Sequence, residues 1–203
     1  MSFIKSNPLG IAWFYFTILS FWYKVIKAKS MTVKRIVKNA VLLAMMCILG
    51  MISIPLGANI KVSLQLIMVY IICLTAESVF DCLIITSLYL GLGMFLPIYA
   101  GFSSSISPTF GYVISFVVIS PIIYFINKIH INNNILRKVL ACVAGLLVCY
   151  VIGTIFMMFY LKWNLLTTLT VSVLPYIPFD IAKIVITILI IINLEKGHVL
   201  DKE

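Results

Sequence analysis

Asp180 and Lys183 stand three residues apart inside an otherwise apolar run, residues 172 to 194. Charged groups in such a run are costly to desolvate, so something must compensate them. On a helix this spacing puts both side chains on one face, within pairing distance. Two readings follow. The pair is either a self-neutralising structural ion pair turned toward a helix bundle, or the polar floor of a solute site. In the second, the carboxylate accepts N–H bonds and the ammonium donates to a carbonyl or carboxylate, both strengthened by low dielectric. Pro175 and Pro178 just before the pair break or bend the helix start and free backbone groups, which suits a cavity better than a lipid-facing surface.

The uncharged segment LPIYAGFSSSISPTFGY, residues 96 to 112, is rich in Gly and Ser. It is either a solvated connector or a cap folded over a solute, with Ser103 to Ser105 and Thr109 supplying hydroxyls and Gly101 and Gly111 permitting close backbone approach. Gln65 follows an expected loop, where its amide could bond a ligand or a neighbouring helix. Ala40 and Ala44, four apart with Gly50 further along, make a flat strip that permits close helix packing.

These residues must be held by apolar helices. Of 203 residues, 63% are apolar and only 10% charged, against about half and about a quarter in a soluble domain. Lipid must therefore be the solvent for most of the surface. A spanning helix needs about 20 apolar residues. The charge-free windows from Lys34 onward predict six spans near 36 to 54, 63 to 78, 79 to 96, 109 to 126, 138 to 160 and 172 to 194, hence an all-α, polytopic six-helix bundle over residues 31 to 203. Excess Lys and Arg mark the cytoplasmic side. With Lys183 set aside, twelve cations fall on the side of the two termini and only Lys61 and Lys162 on the other. Both termini are thus expected in the cytoplasm, with the loops at 55 to 62, 97 to 108 and 161 to 171 outside.

Residues 1 to 30 form an apolar, aromatic extension whose stretch Leu9 to Tyr23 falls short of a comfortable span. An interfacial helix, a seventh tilted span and a dispensable extension ahead of a start at Met31 compete for it, and the last is favoured. Cys47, Cys73, Cys82, Cys142 and Cys149 all lie in apolar stretches with no C-x-x-C pair. They read as small buried hydrophobes, giving no disulfide or metal framework. The net charge of +9 is not gathered into a nucleic-acid-binding face.

In this order these pieces resemble the BioY family, the biotin-specific substrate-binding (S) components of energy-coupling factor (ECF) vitamin transporters. The resemblance runs from about Lys34 to Lys196. It rests on the Ala40-x-x-x-Ala44 strip; ISIPLGANIKVSLQ at 52 to 65 against I-P-x-x-P-V-P-x-T-L-Q; LGLGMFLPIYAGFSS at 90 to 104; SPTFGY at 107 to 112 against G-P-T-G-G-Y; and LPYIPFDIAK at 174 to 183 against L-P-F-I-P-G-D-x-x-K. The resemblance implies that Asp180 and Lys183 contact biotin, that Gln65, Gly101, Thr109 and Tyr112 line or shape the pocket and its lid, and that Ala40 and Ala44 dock on a shared transmembrane T component. It further implies two ATP-binding subunits, no cofactor beyond the transported biotin, and residence in a prokaryotic plasma membrane. The chain departs from the family where a basic loop between the second and third spans is replaced by AESVFD, residues 76 to 81, and where Phe110 and Phe179 replace glycines. Two such aromatics near the expected pocket could reshape it, which leaves the vitamin less fixed than the architecture.

The chain lacks a P-loop G-x-x-x-x-G-K-[ST] and an H-E-x-x-H motif, and its two histidines fall outside the expected spans. Solute capture driven by partner subunits is therefore expected in preference to catalysis. An S component for another vitamin, a small intramembrane enzyme and a structural membrane protein remain open at this point.

Overall fold

A computed structural model describes residues 33–55, 61–100 and 107–197. Among the described residues seven helices carry the fold: α1 Val33–Met51, α2 Gln65–Thr75, α3 Val79–Gly93, α4 Phe110–Lys128, α5 Asn134–Leu161, α6 Leu165–Ser172 and α7 Ile177–Lys196. A small antiparallel pair, β1 Ser53–Pro55 and β2 Lys61–Ser63, joins α1 to α2 with Ser53 opposite Ser63. The chain divides into compact units of residues 1–38 and 39–203, and the packing described below is that of the second.

Among the described residues three helices, α4, α5 and α7, are long and apolar enough to cross a bilayer. The six-helix plan holds, but with different lengths. α2 has 11 residues and α3 has 15, about 16 and 22 Å at 1.5 Å per residue, short of an about 30 Å hydrocarbon core. α2 compensates by burial, for Leu66 to Tyr70, Ile72 and Cys73 are all enclosed, and it packs on α3, α4 and α7. The last expected span is also divided. α6 forms within the segment expected to be an outer loop, and α7 begins only at Ile177, with Pro178 in its first turn, where the missing N–H is not needed.

Local chemistry sets several boundaries. Ser78 and Asp81 form a reciprocal capping box at the start of α3, and the Asn39 amide of α1 donates to Asp81 Oδ1 at 2.9 Å. The acidic departure at 76 to 81 is therefore a helix start. Within α4, Pro121 cannot donate to the Val117 carbonyl. The Ser120 hydroxyl donates to that carbonyl instead, at 3.1 Å. α5 ends with Lys162 in the left-handed region, φ 55°.

The α4–α5 interface dominates the packing, and small residues bring the two backbones together. A Cβ on Gly145 would lie 2.6 Å from Ile123 Cδ1, and one on Gly153 would strike the Tyr112 ring. Four cysteines are buried and Cys47 is half-buried, all unpaired. They pack as small hydrophobes, as read from the sequence. Residues 1–30, Gly101 and Ser103 to Ser105 lie outside the described residues.

Candidate solute-binding site

A cavity of about 410 Å³ opens at the end of the bundle where α2, α4 and α7 begin and α5 ends. Small-molecule sites run about 300 to 1,000 Å³. Its walls are largely apolar, with Leu66, Val113, Phe116, Leu146 and Met157 among them, and Tyr99, Trp163 and Tyr176 add aromatic surface. Polar groups from six elements also reach it: Ser63, Gln65, Tyr112, Tyr150, Ser172, Asp180 and Lys183.

Asp180 and Lys183 form the floor. They are 4% and 7% exposed, and Lys183 Nζ lies 2.7 Å from Asp180 Oδ1. The other carboxylate oxygen, Oδ2, accepts a 2.6 Å bond from the Tyr150 hydroxyl of α5. An ammonium has three N–H groups; among the described residues only Asp180 receives one from Lys183. Two donors of a buried cation are left to face a cavity its residue lines. The arrangement offers an acceptor and donors side by side where water is scarce.

Gln65, also buried, lines the cavity and donates from Nε2 to the Gly50 carbonyl at 3.4 Å. Tyr112 lines it and donates to the Ser172 carbonyl at 3.2 Å, tying α4 to α6. Thr109 sits at the rim, exposed, with its hydroxyl 3.1 Å from that of Ser107. The cavity therefore gathers Asp180, Lys183, Gln65, Thr109 and Tyr112, and Gly101 lies outside the described residues. Ala40 and Ala44 lie away from it, both exposed on α1.

Phe110 and Phe179 correct an expectation, since neither lines the cavity. Phe110 is buried against the Tyr99 and Phe156 rings, with centroids 5.9 and 6.0 Å away. Phe179 is 39% exposed and absent from the cavity lining.

Tyr150 and Ser172 are site residues that sequence reading did not single out. Tyr150 lies mid-helix in an apolar run, where an aromatic phenol carries no distinguishing pattern. Ser172 ends α6, whose existence was not expected, and its buried hydroxyl has no hydrogen-bond partner among the described residues. No group of three or more His, Cys, Asp or Glu residues able to hold a metal occurs among the described residues.

A helical bundle with three bilayer-length helices among the described residues and a solute-sized, polar-floored cavity defines a polytopic membrane protein with an internal chamber. A family model described as the BioY family matches residues 25–198, and the chain belongs to that family. The Biotin transporter BioY of Thermotoga maritima is 25% identical over 170 residues, covering 82% of this chain and 98% of the relative. A crystal structure of the S-component for biotin from an ECF-type ABC transporter superposes with a TM-score of 0.71 at 25% identity, covering 82% of this chain and 95% of that one.

Proposed function

We propose that this chain is the substrate-capture subunit of an ECF-type transporter and takes biotin from the extracellular side. The carrying observation is the buried Asp180–Lys183 pair, with Nζ and Oδ1 2.7 Å apart, opening on an apolar-walled cavity of about 410 Å³. A cyclic urea holds N–H and C=O side by side on one edge because its ring forces the amide cis. Asp180 accepts from that N–H while Lys183 donates to the adjacent oxygen. The hydrocarbon parts of the vitamin lie against Val113, Phe116, Leu146 and Met157, removing apolar surface from water. The absence of Phe179 and Phe110 from the cavity lining supports this reading, since neither narrows the chamber.

The subunit performs no bond chemistry. Without a P-loop, uptake energy comes from partners, a T component and two ATP-binding subunits in the family arrangement. Ala40 and Ala44 form the docking strip, and their exposure on α1 supports that role. Both termini face the cytoplasm of a prokaryotic cell, on the strength of twelve cations against two. Residues 1–30 are a dispensable extension of the binding domain.

The test is equilibrium binding of labelled biotin to the purified, detergent-solubilised chain. Saturable binding lost in Asp180→Asn and Lys183→Ala is expected. A folded wild-type protein without saturable binding overturns biotin as the ligand, and thiamine, riboflavin and pantothenate are then screened. Ala40→Trp is expected to spare biotin binding while abolishing co-purification with the T component. A surviving complex overturns the docking strip.

A further inference from the structure

Asp180 and Lys183 belong to the same turn of α7, so their ion pair does not register the carboxylate against any other helix. A carboxylate held by one bond on one oxygen can rotate about its Cβ–Cγ bond and exchange its two oxygens. Among the described residues, one hydrogen bond from another helix reaches it, that from the Tyr150 hydroxyl of α5 to Oδ2 at 2.6 Å. The two donors sit on opposite oxygens, Lys183 on Oδ1 and Tyr150 on Oδ2. Together they fix the carboxylate plane. Each oxygen keeps one acceptor direction unused.

We infer that Tyr150 is a positioning and specificity residue of the cavity: by clamping Oδ2 it keeps Oδ1 beside the Lys183 ammonium, so that the floor selects ligands carrying an N–H and a C=O on the same edge. This rests on the reading of biotin as the ligand. Tyr150 itself lines the cavity, half-buried, yet its hydroxyl donates to the carboxylate. Removing the hydroxyl leaves the ring and its packing in place and frees the carboxylate to turn. Preorganisation of this kind acts on affinity by removing an ordering cost at binding.

The experiment compares biotin with its two singly N-methylated ureido derivatives on the full chain, wild type and Tyr150→Phe, in detergent, with thermal unfolding as the control for folding. A hydrogen bond to a charged group corresponds to about a 10- to 100-fold change in affinity. Tyr150→Phe is expected to weaken biotin about 10-fold. It should scarcely alter the methylated derivative that the wild type rejects most strongly, so the discrimination ratio falls by a similar factor. Tyr150→Gln, which returns an N–H donor, is expected to recover part of that ratio and serves as the second variant if Phe at 150 does not fold. Equal weakening of biotin and the rejected derivative, or an unchanged ratio, overturns the inference while leaving biotin capture standing. Absence of saturable biotin binding by the wild type overturns the biotin reading, and this inference with it.

Discussion

Among the described residues two ion pairs hold a buried lysine, and they are built differently. At the cavity end, Asp180 and Lys183 lie on one helix, three residues apart. At the far end, Lys138 in the first turns of α5 meets Glu195 in the last turn of α7, Nζ to Oε1 2.5 Å and to Oε2 2.6 Å. Lys138 is 3% exposed while Glu195 is 40% exposed. The inter-helix pair joins two elements 57 residues apart in sequence, and its half-open carboxylate stays partly hydrated. The intra-helix pair joins nothing in the tertiary structure by itself, yet both its partners bear the desolvation cost of burial. An intra-helix pair that is expensive to bury, and whose one described bond to another helix is that from Tyr150, is explained by the cavity it faces.

That contrast is open to direct attack. The largest effect is expected at the cavity floor. Asp180→Asn and Lys183→Met should each lower biotin affinity more than about 100-fold, each removing a charge-assisted bond and orphaning its partner. Each should also destabilise the fold by about 3 to 5 kcal/mol, the range for breaking a buried pair. The double variant should regain most of the stability and none of the affinity, read by unfolding and binding on the same samples. Recovery of binding in the double variant would make the pair structural.

The next effect in size belongs to the far end. Lys138→Met should cost about 1 to 2 kcal/mol, reduced from the fully buried range because Glu195 is partly solvated, with biotin affinity unchanged. A drop in affinity there would show that the two ends are coupled. Smaller still, Asn39→Ala removes the amide that donates to Asp81. It should lower stability by about 1 kcal/mol without touching binding. The smallest change is expected from Ser172→Ala. The hydroxyl has no partner among the described residues, so stability should hold while affinity falls about 3-fold, near the lower range of a neutral hydrogen bond. Unchanged affinity would remove Ser172 from the ligand's contacts.

The sequence made Asp180 and Lys183 legible because charge inside an apolar run is thermodynamically conspicuous. It marked Gln65 and Tyr112 only through motif position. Motifs carry order along the chain but not the face a side chain takes, which is why Phe110 and Phe179 were expected near the chamber. A helical wheel does not separate Phe179 from the floor either, since it stands four residues before Lys183 and about 40° from it; only the three-dimensional structure takes it out of the cavity lining. Tyr150 was invisible for a different reason. Its partner comes from a helix 30 residues away in sequence, and a phenol among apolar residues leaves no periodic trace. The lengths of α2 and α3 were misjudged because an apolar run reads alike whether lipid or protein surrounds it. The corner between them was written in Ser78 and Asp81, a capping box whose acid stands where a basic loop was sought.

The two bonds from α5 to α7, Tyr150 to Asp180 and Lys138 to Glu195, form the rungs of a ladder. They are spaced 12 residues along one rail and 15 along the other, about 18 and 22 Å. A slide of either rail, or a roll of α7 about its own axis, strains both rungs at once. The chamber's floor is therefore a stiff datum. A ligand entering the chamber is gauged against a surface that does not yield.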